Sequence, residues 1–208
     1  MRRGPTPTAR GVSAAVLNVT LAALYALFLH RHAVTFIETH EPAFLAIVVL
    51  ETMLVTMFLV RREATASNVS ALALAATAVG TFSTLFMAPI DRSGVPSALT
   101  IAIQLVGLTM AIVSLGSLRR SFGLAPANRG VKTSGMYRFV RHPLYASYLV
   151  ALSGYLLTYP APRNVALLAA SVVGQIVRMS LEERLLLRDP MYVRYAARTR
   201  FRLVPRVY

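Results

Sequence analysis

Six apolar stretches recur along this chain, at about Val12–Leu29, Ala43–Val60, Asn68–Ile90, Ser97–Leu118, Leu144–Tyr159 and Asn164–Leu181. Each is long enough to cross, or nearly cross, a hydrocarbon core of about 30 Å as a helix, and helices are what an apolar solvent allows. The composition agrees, since 56% of the 208 residues are apolar and only 14% are charged. The predicted fold is therefore all-α: a polytopic integral membrane helical bundle of about six segments. The fifth and sixth segments are short for a crossing and are joined by the tight Pro160-Ala161-Pro162-Arg163 turn, so they are expected to form a packed hairpin. A secretory signal is the rival reading of the first segment. No A-x-A-like site follows it promptly and five more such segments come after, which favours a retained anchor. There is no internal repeat, low-complexity run or linker. The expectation is a single integral membrane domain, 1–208, made of a four-segment N-terminal part, 1–118, and a C-terminal part, 119–208, with a basic tail.

A net charge of +14 would suggest nucleic acid in a soluble chain, but its distribution reports topology. Six crossings put both termini on one side. That side carries nineteen of the arginine and lysine residues: Arg2, Arg3 and Arg10, then Arg61 and Arg62, then the Arg119–Arg141 loop, then Arg178 to Arg206. The opposite side holds only Arg31, Arg92 and Arg163, with Glu38, Glu41 and Asp91 beside them. By the positive-inside rule both termini are cytoplasmic, and the expected location is a bacterial inner (plasma) membrane. The charge is accounted for by topology and by anionic lipid headgroups, so nucleic acid is not an expected partner and membrane lipids are. With no cysteine in the chain, disulfides and thiolate metal sites are excluded.

His30, His32 and His40 cluster on the opposite face, yet no carboxylate pattern fixes a coordination geometry there. They read as a solvated interfacial loop, and no metal is expected. Glu51 is different, because an ionisable group in mid-span is costly and faces a partner or a polar cavity. Gln104, on another segment, is the candidate partner for a structural hydrogen bond.

Two stretches carry chemistry. Gly130 to Tyr148 concentrates glycine, proline, tyrosine, arginine and histidine where the chain re-enters apolar sequence, which a mere connection does not need. Ser171, Gln175, Arg178 and Glu182 fall on one face of the sixth segment. The rival reading of that stripe is an Arg178–Glu182 pair at i, i+4 satisfying itself at the membrane boundary. Against that reading, the topology brings the end of the stripe to the same side as the Arg138–Tyr148 stretch. Tyr145, Tyr148, Leu152, Tyr155 and Tyr159 share a face of the fifth segment. Tyr155 and Tyr159 suit an aromatic belt or helix packing, and Tyr145 and Tyr148 suit a site.

The run G-M-Y-R-F-V-R-H-P-L-Y, followed about 35 residues later by R-M-S-L-E-E-R-L-L and then Tyr192, Tyr195 and Pro205, resembles the isoprenylcysteine carboxyl methyltransferase family and its phospholipid N-methyltransferase relatives. The resemblance covers roughly Phe122 to Pro205. It implies S-adenosyl-L-methionine as methyl donor, bound on the cytosolic side. It assigns Val131, Gly135, Tyr137, His142, Pro143 and Tyr145, with Glu182 and Glu183, to the cofactor pocket. It also implies that Arg178 orients the acceptor and that Tyr195 belongs to the acceptor side. The family's F-G-x-x-Y after the E-E helix is replaced here by Asp189-Pro190-Met191-Tyr192, so the departure falls on the C-terminal tail that forms the lid.

Residue chemistry fits that implication. Pro143 with Tyr137 or Tyr145 can supply a slot for adenine, Glu182 an acceptor for hydroxyl or amine hydrogens, and Arg141 a bidentate cation for a carboxylate, with His142 in reach of adenine or ribose. No two glycines are spaced i, i+2, which excludes a Rossmann-type nucleotide fold. Arg141 and Arg178 are the expected catalytic cations, and Arg178, Tyr148 and Tyr195 the expected contacts to a lipophilic or prenylated acceptor. A carboxylate acceptor is ionised at neutral pH and needs no base, whereas an amine must lose a proton. The lack of a dedicated base beyond His142 and the glutamates favours the carboxylate. A phospholipid N-methyltransferase is the alternative, and a non-catalytic membrane subunit is a third.

Overall fold

The computed structural model describes residues 7–88 and 97–205, with side chains from Ala14 onward. Arg2, Arg3, Asp91, Arg92, Arg206 and the expected segment end at Ile90 lie outside the described residues, as does the side chain of Arg10. The chain is an all-α membrane helical bundle: α1 (Pro7–Thr39), α2 (Pro42–Val60), α3 (Ala71–Phe82), α4 (Ala98–Leu118), α5 (Pro143–Thr158), α6 (Pro162–Leu186) and α7 (Pro190–Arg198). Of these, α1, α2, α4 and α6 are long and apolar enough to cross a membrane, while α3 with its following 3₁₀ turn is shorter.

Local chemistry sets the ends. Proline opens α2, α5, α6 and α7, at the position where its missing N–H costs nothing and its fixed φ suits a helix. A reciprocal capping box opens α4, with Ser97 Oγ accepting from Thr100 N at 3.2 Å and Thr100 Oγ1 accepting from Ser97 N at 3.1 Å. The first helix runs ten residues past the expected Leu29, because hydropathy falls at His30-Arg31-His32 but no glycine or proline stops the helix before Pro42. His30 and His32 are thus helical rather than in a solvated loop, and His40 makes the turn with φ of 54°. Likewise α6 continues through Glu182 and Glu183 to Leu186, over good helix formers.

Packing departs from the expected hairpin. Helix α5 packs along α4 and α6 along α3, while α5 and α6 meet only marginally. Small residues decide this. A side chain at Gly107 would collide with the Ala151 backbone, and one at Gly174 would stand 2.5 Å from the Gly80 amide nitrogen. Ser171 Oγ donates to Gly80 O at 2.8 Å and closes the α3–α6 crossing. Those pairs also join residues before 118 to residues after 119. Phe58, Ala111 and Leu115, all at 0% exposure, centre the apolar core between α2 and α4.

Glu51 finds a different partner from the one expected. His32 Nδ1 stands 3.0 Å from each of its carboxylate oxygens, tying α1 to α2. Gln104 instead donates to Thr158 Oγ1 at 3.4 Å.

The connections gather at two ends. At one, Arg62 N donates to Arg120 O at 2.7 Å, and the two-residue strands β1 (Ala66–Ser67) and β2 (Ala127–Asn128) pair antiparallel. Residues 188–205 close over the same end, as Asn128 Nδ2 donates to Asp189 Oδ2 at 2.9 Å and Arg141 N to Phe201 O at 2.9 Å. At the other end, Arg163 Nη2 donates to Phe86 O at 2.8 Å and Asn164 Nδ2 to Ala88 O at 2.9 Å.

Candidate active site

Because α5 and α6 diverge, a cleft of about 680 Å³, counting its open mouth, lies between the start of α5, the last turns of α6 and the 121–132 loop. Val131, Tyr137, Arg141, His142, Tyr145, Arg178, Glu182 and Tyr195 of the sequence-derived set all line it. Gly135, Pro143, Glu183 and Tyr148 do not, and each has a definable place behind the wall. Gly135 has φ of +62°, and a Cβ there would run into Ser117 Oγ, so it shapes the 3₁₀ turn that presents Tyr137. Pro143 is fully buried as the first residue of α5. Tyr148 packs on the apolar core.

Glu183 is the hub of that wall. Its carboxylate meets Arg141 Nε at 2.8 Å and Nη2 at 3.1 Å, His142 Nε2 at 3.0 Å, the Tyr192 hydroxyl at 3.0 Å and Arg202 Nε at 3.1 Å. The Arg141 Nε approach is an ion contact, lying off the N–H direction. A carboxylate so fully engaged has no oxygen left for a ligand. It fixes the 141–142 pair that opens α5, α7 through Tyr192, and the tail through Arg202. Alongside it, Tyr195 donates its hydroxyl to Tyr137 O at 2.7 Å. Burial pushes the Tyr137, Tyr192 and Tyr195 phenols well up, so all three are neutral hydrogen-bond donors.

Glu182 and Arg178 face the cleft in a different state. Glu182 takes one hydrogen bond, from the Tyr145 hydroxyl at 2.9 Å, which leaves its other acceptor sites open. Arg178 does not pair with it. The Arg178 guanidinium stands 5.0 Å over the Tyr145 ring, reaches Thr81 Oγ1 and Gly123 O only at 3.4 Å, and keeps a buried Nε with no acceptor. At 9% exposure a cation without a carboxylate is costly to hold, and this one lines the cleft, where an anion can enter. The i, i+4 pair considered from the sequence is therefore not formed.

The sequence reading missed Arg129 and Lys132, which also line the cleft. Their signal was their position beside Gly130 and Val131. Arg129 reaches the wall because its Nε donates to Arg62 O at 3.1 Å, and burial lowers its pKa. With Arg141 balanced by Glu183, the cleft presents Arg129, Lys132 and Arg178 against Glu182 alone.

These residues fit a nucleoside-bearing methyl donor. The Tyr137, His142 and Tyr145 rings wall a slot, with His142 and Tyr145 edge to face at 5.5 Å. Glu182 offers acceptors for hydroxyl or ammonium hydrogens, and the loop cations suit a carboxylate.

Residues 94–189 match a family model described as phospholipid methyltransferase. The matched stretch is somewhat less than half of the chain and ends at Asp189, just before α7. The match supports a membrane methyltransferase. No curated protein and no solved structure matches the chain.

Proposed function

We propose that the chain is an S-adenosyl-L-methionine-dependent methyltransferase that esterifies the carboxylate of a lipid-like or prenylated acceptor. The observation that carries this reading is Arg178, buried at the cleft wall with no carboxylate partner among the described residues. When bound, the donor supplies an electrophilic methyl on a sulfonium: an acceptor oxygen forms the new C–O bond while the C–S electron pair returns to sulfur. In this reading Tyr137, His142 and Tyr145 hold the adenine end and Glu182 takes the ribose or amino hydrogens. Arg129 or Lys132 meets the donor's carboxylate. Arg178 orients the acceptor oxygen with its planar fork, which Tyr145 steadies from beneath. Val131 and Tyr195 close the cytosolic mouth, and Arg141 with Glu183, Gly135 and Pro143 hold these groups in place. The reaction neutralises charge and moves no proton, so positioning does most of the work.

The family description favours a second reading, methylation of a phospholipid amine. An amine would need a base, and Glu182 is the cleft carboxylate with free acceptor sites. The deciding experiment incubates the purified protein in lipid nanodiscs with radiolabelled methyl donor. The acceptors offered are a prenylated cysteine analogue, a fatty acid and phosphatidylethanolamine. Base-labile label on either carboxylate is the expected result. Label on phosphatidylethanolamine alone replaces the first reading by the second, and failure to bind the donor removes both.

A further inference from the structure

A second groove lies on the neighbouring face of α6, independent of the cleft and of the reading given to it. Leu181, Arg184 and Leu185 line it from α6, Arg188 from the turn that follows α6, and Ser67, Asn68 and Val69 from the segment leading into α3. It encloses about 620 Å³, counting its open side. At 100° per residue these α6 positions sweep an arc of about 100°, centred roughly a third of a turn from the Arg178–Glu182–Leu186 arc. The two sites thus share a helix and no side chain.

Arg184, in the last turn of α6, and Arg188, in the turn just after it, are both exposed, with no acidic partner among the described residues. The nearby acids are committed elsewhere. Asp189 accepts from Asn128 Nδ2 and Met191 N, Glu183 holds its own cluster, and Glu182 takes the Tyr145 hydroxyl. A helix C-terminus favours cations by its dipole, but that does not require a groove lined by two arginines. The surroundings are apolar: Leu181, Leu185 and Val69 line the groove, Val69 at 67% exposure, and Leu72, in the first turn of α3, is 60% exposed. Arginines at the end of a membrane-crossing helix, above an apolar surface that continues towards the bilayer, match a phosphate that carries hydrocarbon chains.

We propose that this groove binds one anionic phospholipid, its phosphate between Arg184 and Arg188 and an acyl chain along Val69, Leu72 and Leu181. Native mass spectrometry of the detergent-solubilised protein should then show one phosphatidylglycerol bound saturably, at least tenfold tighter than phosphatidylcholine. The double variant Arg184→Gln/Arg188→Gln should lose that preference. Arg194→Gln/Arg198→Gln, which removes the same charge from exposed positions on α7, should keep it. The chain has no tryptophan, so Val69→Trp gives a clean local reporter. Its fluorescence should be quenched by phosphatidylglycerol brominated in the chains, and not by the same lipid once the two arginines are replaced. Equal loss in the α7 variant would assign the effect to diffuse surface charge and overturn the proposal. Displacement of the lipid by millimolar inorganic phosphate would overturn it in favour of a free-anion site.

Discussion

Arg178 and Glu182 stand one helical turn apart on α6 and meet through Tyr145 rather than through each other: the guanidinium lies 5.0 Å over its ring and the carboxylate takes its hydroxyl at 2.9 Å. Opposite charges at this spacing usually pair. Here the aromatic residue separates them, and each keeps unused hydrogen-bonding capacity towards the cleft.

The first prediction follows from that separation. Glu182→Gln keeps the shape but removes the charge, and affinity for S-adenosyl-L-methionine should fall by about 1–3 kcal/mol, measured by calorimetry. Arg178→Lys keeps the charge but loses the planar fork, so turnover should fall at least roughly tenfold while donor affinity changes little. Unchanged donor affinity in Glu182→Gln would return that residue to a structural role.

A second prediction concerns Glu183, which neutralises two arginines and binds His142 and Tyr192 while 4% exposed. Glu183→Gln leaves those cations without their anion, at a cost of about 3–5 kcal/mol. The thermal midpoint should drop, and proteolysis should reach residues 199–205 sooner. His142→Ala disturbs the same cluster, so its loss of donor binding is expected together with lost stability, and only Glu182→Gln separates the two.

Much of this site was legible because its residues sit close together in two short stretches, and the periodicity of α6 puts Arg178 and Glu182 on one face. What could not be read was which carboxylate serves which purpose. Glu182 and Glu183 are adjacent and chemically alike, and only the arrival of Arg141, His142, Tyr192 and Arg202 from three other segments distinguishes them. The Glu51 partner failed for a related reason: His32 looked like loop because hydropathy fell, although nothing there breaks a helix. The pairing of α5 with α4 and α6 with α3 depends on glycines at matched depths, Gly107 and Gly154 on one pair, Gly80 and Gly174 on the other. Depth matching needs the register of two helices, which a single sequence does not supply.

Acid should loosen the closure over the cleft. The hydrogen bond from Asn128 Nδ2, with help from the Met191 amide, holds the Asp189 carboxyl below its ordinary value of 3.8. A lowered folded-state pKa means the bond stabilises the fold above that ordinary value and is lost as pH falls through the lowered one. Hydrogen exchange at the start of α7 should therefore be slower in the wild type than in Asp189→Ala at neutral pH, and the two should converge in strong acid. A difference that persists there would mean that the carboxylate is not what ties α7 to β2.

The last prediction tests sidedness. The structure gathers residues 61–70, 119–142 and 188–205 at one end and residues 86–88 and 163–164 at the other, and by the positive-inside rule the nineteen-to-three charge asymmetry predicts that the first end is cytoplasmic. The cleft lies at that end, so the prediction places it within reach of a donor made in the cytosol. Since the chain contains no cysteine, single substitutions can be labelled without background. Ser134 and Glu41 are both exposed, at the cleft end and in the α1–α2 turn. In intact cells a membrane-impermeant maleimide should label Glu41→Cys, and Ser134→Cys should react only after permeabilisation. The reverse pattern would place the cleft outside the cell, away from the donor, and end the methyltransferase reading.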